Sequence, residues 1–303
     1  MKIGAFQLNE PIPDLINPHA IAIVRPWVDA GNVATLALKR LETFLGAEEL
    51  GRLDSPGDFF DFTRYRPVTR EVDGRREIKV PNSIISYAKG DGRPDLLLCL
   101  LMEPHSHAED YLKSFVEILD TFQVKRYCRI GGVFDAVPHT RPLRVTGTLD
   151  GEPITELEAF RSSSKNTYQG PTTILGLINE ELEKLKVEIM TLMVRVPQYL
   201  QFEEDYSGAA RLIEALSSFY NFPKDFPEVE MGERQYRQFD NALERNTQAR
   251  EFVNRLEEYY DARASSNASS SDGSDELDQE PKLSPDVEQF LQDQSSKLDN
   301  PQG

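Results

Sequence analysis

Four polar segments carry residue types that could do chemistry. Glu103, His105 and His107 alternate along Glu103-Pro104-His105-Ser106-His107. Alternate residues on an extended chain share a face, so a carboxylate and two imidazoles could converge as metal ligands. No compact set of further ligands accompanies them. The spacing serves equally well if His107 opens a helix while Glu103 and His105 hold a loop, and no metal is expected. His139-Thr140-Arg141-Pro142 places an imidazole, a hydroxyl and a guanidinium on consecutive residues. Arginine is a natural fork for anions. The segment is therefore either a phosphate or carboxylate clamp with His139 as acid–base group, or a loop whose Arg141 pairs with a carboxylate such as Glu103. The pair is the stronger expectation. If shielded, it lowers the Glu103 pKa and makes Arg141→Ala cost about 3 kcal/mol. Tyr168-Gln169-Gly170-Pro171 sets a Gly-Pro turn at a helix start, where unpaired amides could receive an anion, although proline is also ordinary at a first helical turn. Gly31-Asn32 is the fourth segment. The chain has no GxxxxGK[ST], GxGxxG or GxSxG motif, which argues against P-loop hydrolysis, dinucleotide binding and α/β-hydrolase chemistry. No cofactor is expected.

The elements that must position these groups alternate between strand and helix. Ala20–Val24, Asp95–Leu101, Lys125–Ile130, Leu143–Thr148 and Glu188–Val196 read as strands, the third ending at Gly131-Gly132. Helical stripes run over about 33–44, 107–122 and 171–185, and residues 57–80 form a β excursion around Asp73-Gly74, a hairpin dipeptide. Apolar strands separated by amphipathic helices predict a doubly wound α/β sheet with flanking helices on both faces. Ligands of such sheets sit beyond the carboxyl ends of the strands. Asn32, Glu103, His105, His139, Arg141, Tyr168 and Gly170 are therefore expected around one cleft. Asp205 can cap a further helix, and a long helix is expected from about Pro227 to Tyr260, its stripe weakening around Asn246.

The chain of 303 residues carries a net charge of −17. That balance argues against nucleic acid and against anionic membranes as partners. The two cysteines, Cys99 and Cys128, sit in apolar runs and fit a reducing compartment. The N-terminus has no apolar signal segment, and the longest apolar run, Leu96–Met102, is too short to span a bilayer. A cytoplasmic location is expected. After Asp261 the sequence turns Ser-rich and acidic, and residues 262–303 are expected to form a disordered tail, behind a folded unit of residues 1–261 whose helical extension covers about 203–261. Within the tail, Ser284–Leu298 has a fair cap, a proline at the first helical position and Val287, Phe290 and Leu291 on one face. It forms either a transient helix or a docking peptide.

Taken in order, Gly31-Asn32-Val33, Glu103-Pro104-His105, Gly131-Gly132, Val137-Pro138-His139-Thr140-Arg141-Pro142, Tyr168-Gln169-Gly170-Pro171 and Val196-Pro197-Gln198-Tyr199 resemble the proteasome assembly chaperone 2 family over about residues 15–260. The family pattern has glycine where Met102 stands and often histidine where Gln198 stands. The resemblance implies a fold similar to nucleoside phosphorylases and a non-enzymatic, assembly-chaperone-like role with a protein partner or a homo-oligomer. Eukaryotic and archaeal relatives dock on proteasomal α-rings by a C-terminal hydrophobic-Tyr tail, which Asn300-Pro301-Gln302-Gly303 does not reproduce. The alternative is a nucleoside or carboxylate binder or enzyme related to nucleoside phosphorylases, with a small-molecule ligand in the cleft.

Overall fold

A strand that is apolar at every position has no face to offer to water and must be covered on both sides. Ala20–Val24 and Leu96–Leu101 are such runs, and they lie side by side in the middle of a ten-stranded sheet. The computed structural model describes residues 1–154, 172–244, 246–266 and 283–299. Its strands are β1 (Lys2–Ile3), β2 (Phe6–Leu8), β3 (His19–Arg25), β4 (Glu48–Leu53), β5 (Val68–Val72), β6 (Arg75–Lys79), β7 (Ile84–Ala88), β8 (Leu96–Met102), β9 (Arg126–Asp135), β10 (Val145–Leu149), β11 (Glu152–Pro153) and β12 (Glu188–Pro197). Its helices are α1 (Val33–Leu45), α2 (Ala108–Thr121), α3 (Ile174–Lys184), α4 (Tyr206–Tyr220), α5 (Pro227–Leu243), α6 (Thr247–Ser266) and α7 (Pro285–Asp299). The strand order is β1-β2-β4-β7-β8-β3-β9-β12-β10-β11. The central strands β8, β3, β9 and β12 are parallel. Both flanks pair antiparallel.

The expected α/β sheet with helices on both faces is thus present, with antiparallel flanks added. One core joins the sheet to α1 and to the C-terminal helices through Ile21, Leu38, Met190, Leu212, Phe239 and Phe252. The other joins it to α2 and α3 through Ala22, Cys99, Phe115, Ile118 and Ile178. Among the described residues, no helix is long and apolar enough to cross a membrane.

Three expectations change. Strand β9 does not stop at Gly131-Gly132 but runs through them to Asp135, paired in register with β12 as far as Pro197. The glycines permit close approach: a Cβ on Gly132 would lie 2.2 Å from Val33 Cγ2, and one on Gly131 2.7 Å from the Val28 carbonyl oxygen. The long helix after Pro227 is two helices, because the side chain of Asn246 accepts from the Ala249 amide (3.1 Å) and caps α6. The folded part does not end at Asp261, because α6 continues to Ser266. Residues 285–299 form α7, which buries Val287 and Leu291 against the C-terminal helices. Two apolar anchors on one face suffice when the groove they enter is already built. At roughly 1.5–3 kcal/mol per buried side chain, partly offset by the entropy of ordering the segment, removal of residues 283–303 is expected to lower the melting temperature by several degrees. An unchanged melting curve would return α7 to the status of a transient helix.

The β excursion is a hairpin of β5 and β6, closed by Asp73 (φ 50°) and Gly74 (φ 73°). Every residue of both strands is exposed.

Candidate functional site

The carboxyl edge of the parallel strands is shaped by the segment leaving β3. The Arg25-Pro26 peptide is cis, and Pro26 and Trp27 cross the top of the sheet. Asp29 then caps α1, accepting from the Ala34 amide (2.8 Å), the Thr35 amide (3.2 Å) and the Thr35 hydroxyl (2.5 Å). Asn32 takes left-handed backbone (φ 50°) and donates its side-chain amide to the Glu203 carbonyl at 2.8 Å. The Gly31 carbonyl accepts from the Asp205 amide at 2.8 Å. This turn therefore joins the sheet edge to the start of α4. Asn32 is tied to the backbone of that connection.

The cleft lies on the other side of Pro26. Glu103 follows β8 and extends the ladder, its amide donating to the Arg25 carbonyl at 2.8 Å. The Phe59 carbonyl accepts from the amides of His105 (2.8 Å) and Ser106 (3.2 Å). His105 Nδ1 accepts from the Asp61 amide at 3.1 Å. The Tyr65 hydroxyl donates to the Glu103 carbonyl at 3.2 Å, and its ring lies 4.5 Å from that of His105. The result is a cleft of about 760 Å³ lined by Pro26, Trp27, Phe60, Asp61, Arg64, Tyr65, Glu103 and His105, among others.

Glu103 is half-buried. Both its carboxylate oxygens accept from the Ile174 amide (2.9 and 3.2 Å), at the first residue of α3, where Thr173 is the other cap. Burial pushes its pKa up, with the Ile174 amide opposing the shift. This reverses the lowering expected from a partner arginine. Arg141 instead meets Asp261 at 2.8 and 3.1 Å and Glu257 at 3.6 Å, both on α6. The Glu103–Arg141 pair is not formed, because Arg141, between β9 and β10, pairs with α6, and Glu103, after β8, caps the start of α3. With its side chain 32% exposed, Arg141 sits in a solvent-screened pair. Arg141→Ala is expected to cost within about 1 kcal/mol. A loss near 3 kcal/mol in urea unfolding would contradict that assignment.

His139 is buried beneath the same helices. Its amide donates to the Tyr199 hydroxyl (2.8 Å), and that hydroxyl meets its Nδ1 at 2.6 Å. The rings of Tyr236 and Phe239 pack against it at 5.8 and 5.4 Å. Burial pulls its pKa down to about 4, so it is a neutral core histidine rather than an acid–base group at the sheet edge. His107 takes left-handed backbone (φ 51°) at the start of α2, and Glu103, His105 and His107 serve separate loop and helix contacts instead of converging as ligands. Among the described residues, no group of His, Cys, Asp or Glu could hold a metal ion. Tyr168 and Gly170 lie outside the described residues. Of the expected site residues, the structure brings together Glu103 and His105 at the cleft, keeps Asn32 on the neighbouring turn, and sends His139 and Arg141 elsewhere.

The cleft residues that sequence reasoning passed over are Trp27, Phe60, Asp61, Arg64 and Tyr65. A signal existed: Phe59-Phe60-Asp61-Phe62-Thr63-Arg64-Tyr65 is the densest aromatic stretch in the chain, and Trp27 is its single tryptophan.

Comparison with known proteins places this architecture. The chain is similar in fold to Rv2714, an unknown-function protein of Mycobacterium tuberculosis, at 21% identity, covering 97% of this chain and 98% of that one with a TM-score of 0.75. It is similar to Rv2125 of the same organism, a proteasome-assembly chaperone homologue, at 23% identity, covering 74% and 94% with a TM-score of 0.63. It is also similar to PbaB of Pyrococcus furiosus, an archaeal proteasome activator, at 16% identity, covering 81% and 99% with a TM-score of 0.59. No curated protein sequence matches the chain. The sequence profile of the PAC2 family matches residues 23–243, from the middle of β3 through the last residue of α5, so the strands from β4 onward, the cleft and the first two C-terminal helices fall within the match and the chain belongs to the PAC2 family.

Proposed function

We propose that this chain is a non-enzymatic, assembly-chaperone-like protein that works by docking on a protein surface. Membership of the PAC2 family and likeness to an assembly chaperone homologue and a proteasome activator support that class of role. The observation that carries it is the hairpin of β5 and β6. A two-stranded ribbon with no packed face is marginally stable in water, and open strand edges are normally covered. Here Val68, Val72 and Ile78 stand 51%, 44% and 66% exposed. Residues 64–80 hold six basic against three acidic side chains, a net of +3 in a chain of net −17. A basic, apolar-studded arm fits an acidic partner surface, and a second copy of this chain offers one. His139 and Arg141, the strongest acid–base and anion-binding candidates in the sequence, serve the packing of the C-terminal helices, which weakens the alternative of an enzyme related to nucleoside phosphorylases. The buried thiols of Cys99 and Cys128 suit a cytoplasmic setting.

Sedimentation velocity tests the proposal, comparing the chain with a variant in which residues 68–79 are replaced by a short Gly-Ser turn. The full chain is expected to self-associate at low salt and to weaken as salt rises. The variant is expected to sediment as a monomer with an unchanged melting temperature. Identical association of the two proteins at every salt concentration would remove the arm from the account.

A further inference from the structure

We propose that the cleft beside Glu103 is a receptor for a cation carried on a flexible stem, a guanidinium or ammonium group of the kind an arginine or lysine side chain presents. The docking role is carried by the exposed arm. The cleft, on the carboxyl edge of the sheet, is a separate site with its own ligand chemistry.

The lining combines aromatic rings with acids. Trp27 and Tyr65 line it with their rings partly open to solvent, and the buried Phe60 backs Tyr65 at 5.6 Å. The faces of such rings attract cations, most strongly once water is displaced. Glu103 supplies one carboxyl group, and Asp61, whose Oδ1 accepts from the Thr63 amide and hydroxyl, supplies a second through Oδ2. A carboxylate has about four acceptor sites, and at Glu103 the Ile174 amide is the one described donor. Among the described residues, no basic side chain forms an ion pair with it. Its raised pKa traces to burial and to no neighbouring charge. A carboxylate taken partly out of water without a counter-charge is costly, and an arriving cation offsets that cost.

The basic groups on the rim do not fill the role. Arg64 is 72% exposed and turns towards Asp61 at 3.9 Å. His105 accepts from the Asp61 amide through Nδ1, so that nitrogen carries no proton. The shape fits as well, since a cleft of about 760 Å³ admits a side chain and the backbone around it.

Trp27 is the only tryptophan, so its fluorescence reports on this cleft alone. The intact chain is titrated with N-acetyl-arginine amide, with its uncharged counterpart N-acetyl-citrulline amide, with agmatine as a free amine, and with succinate as an anion. The arginine amide is expected to bind at least tenfold more tightly than the citrulline amide, and to weaken as the pH is lowered and Glu103 takes up a proton. Glu103→Gln keeps an oxygen for the Ile174 amide and is expected to retain the melting temperature while losing the preference. Asp61→Asn gives a second, milder reduction. A stronger response to the arginine amide than to agmatine, which carries the same guanidinium without the peptide groups, assigns the site to a peptide side chain, and the reverse assigns it to a free small-molecule cation. Equal responses to arginine and citrulline amides, a stronger response to succinate, no response at all, or a preference that survives in both variants would overturn the proposal. Such a failure leaves arm-mediated association, read by sedimentation, untouched.

Discussion

Asp205→Asn is expected to gain about 2 kcal/mol on the parent chain as the pH rises from 4 to 6.5. Asp205 is the N-cap of α4 and is 2% exposed, accepting from the Gly208 amide (2.8 Å) and the Tyr236 hydroxyl (2.8 Å). These bonds favour the carboxylate. Burial outweighs them, with the charge of Asp299 at the end of α7 adding to it, and the pKa is pushed up to about 6. An unfolded aspartate releases its proton near 4. Between about pH 4 and pH 6 the native chain therefore holds a proton that the unfolded chain has lost, and stability falls as the pH rises through that window. Asparagine keeps an acceptor for the cap and has nothing to titrate, so the falling contribution disappears. His139 runs the other way. Its native pKa of about 4 lies below the unfolded value near 6.5, so the unfolded chain binds the extra proton and stability is lost as the pH drops through the same window. His139→Gln is expected to gain on the parent at low pH. Urea unfolding at half-unit pH steps reads both slopes. Parallel curves for the parent and Asp205→Asn would show that this carboxyl titrates as it does in water.

Gly132→Val is expected to cause a large loss of stability. The new Cβ would lie 2.2 Å from Val33 Cγ2 and 3.3 Å from the Ala30 carbonyl oxygen. Val33 is β-branched and fully buried, so its methyl has nowhere to swing, and overpacking of this kind costs roughly 3 kcal/mol. The strain falls on residues 28–33, the segment that carries the Asp29 cap and follows Trp27 along the cleft. Chemical denaturation should therefore show a large loss of stability, and the fluorescence maximum of Trp27 should shift in whatever protein remains folded. A variant with wild-type stability would mean that β9 and the 28–33 segment are further apart than described.

How much of this was legible in the sequence follows from where each signal sits. Period and cap are local, and so α1, α2 and the Asp205 cap of α4 could be read directly, as could the Asp73-Gly74 hairpin. Partners are not local. Arg141 finds Asp261 120 residues away, and no spacing rule distinguishes that carboxylate from Glu103. Gly131-Gly132 carries the signature of a turn, yet its glycines serve the close approach of another segment to a continuing strand, which only the packed structure reveals. The antiparallel strands β4 and β7, on one flank of the parallel centre, mix charged and polar residues with apolar ones, and their strand character comes from the neighbours they pair with. The cleft was half legible: Glu103 and His105 follow an obvious strand, but the aromatic wall from residues 57–65 reaches them through backbone bonds to Phe59 that no motif announces.

Docking through the arm should be visible in the hydrogen exchange of the amides in residues 68–80. In the isolated chain both faces of the hairpin meet solvent, so its amides should exchange within seconds, far faster than those of β3 and β8 in the centre of the sheet. On association, whether with a second copy at rising concentration or with an added acidic partner, protection should appear in these residues, and it should disappear again in high salt. An arm whose amides exchange at one rate in the monomer and in every assembled state would contradict the account.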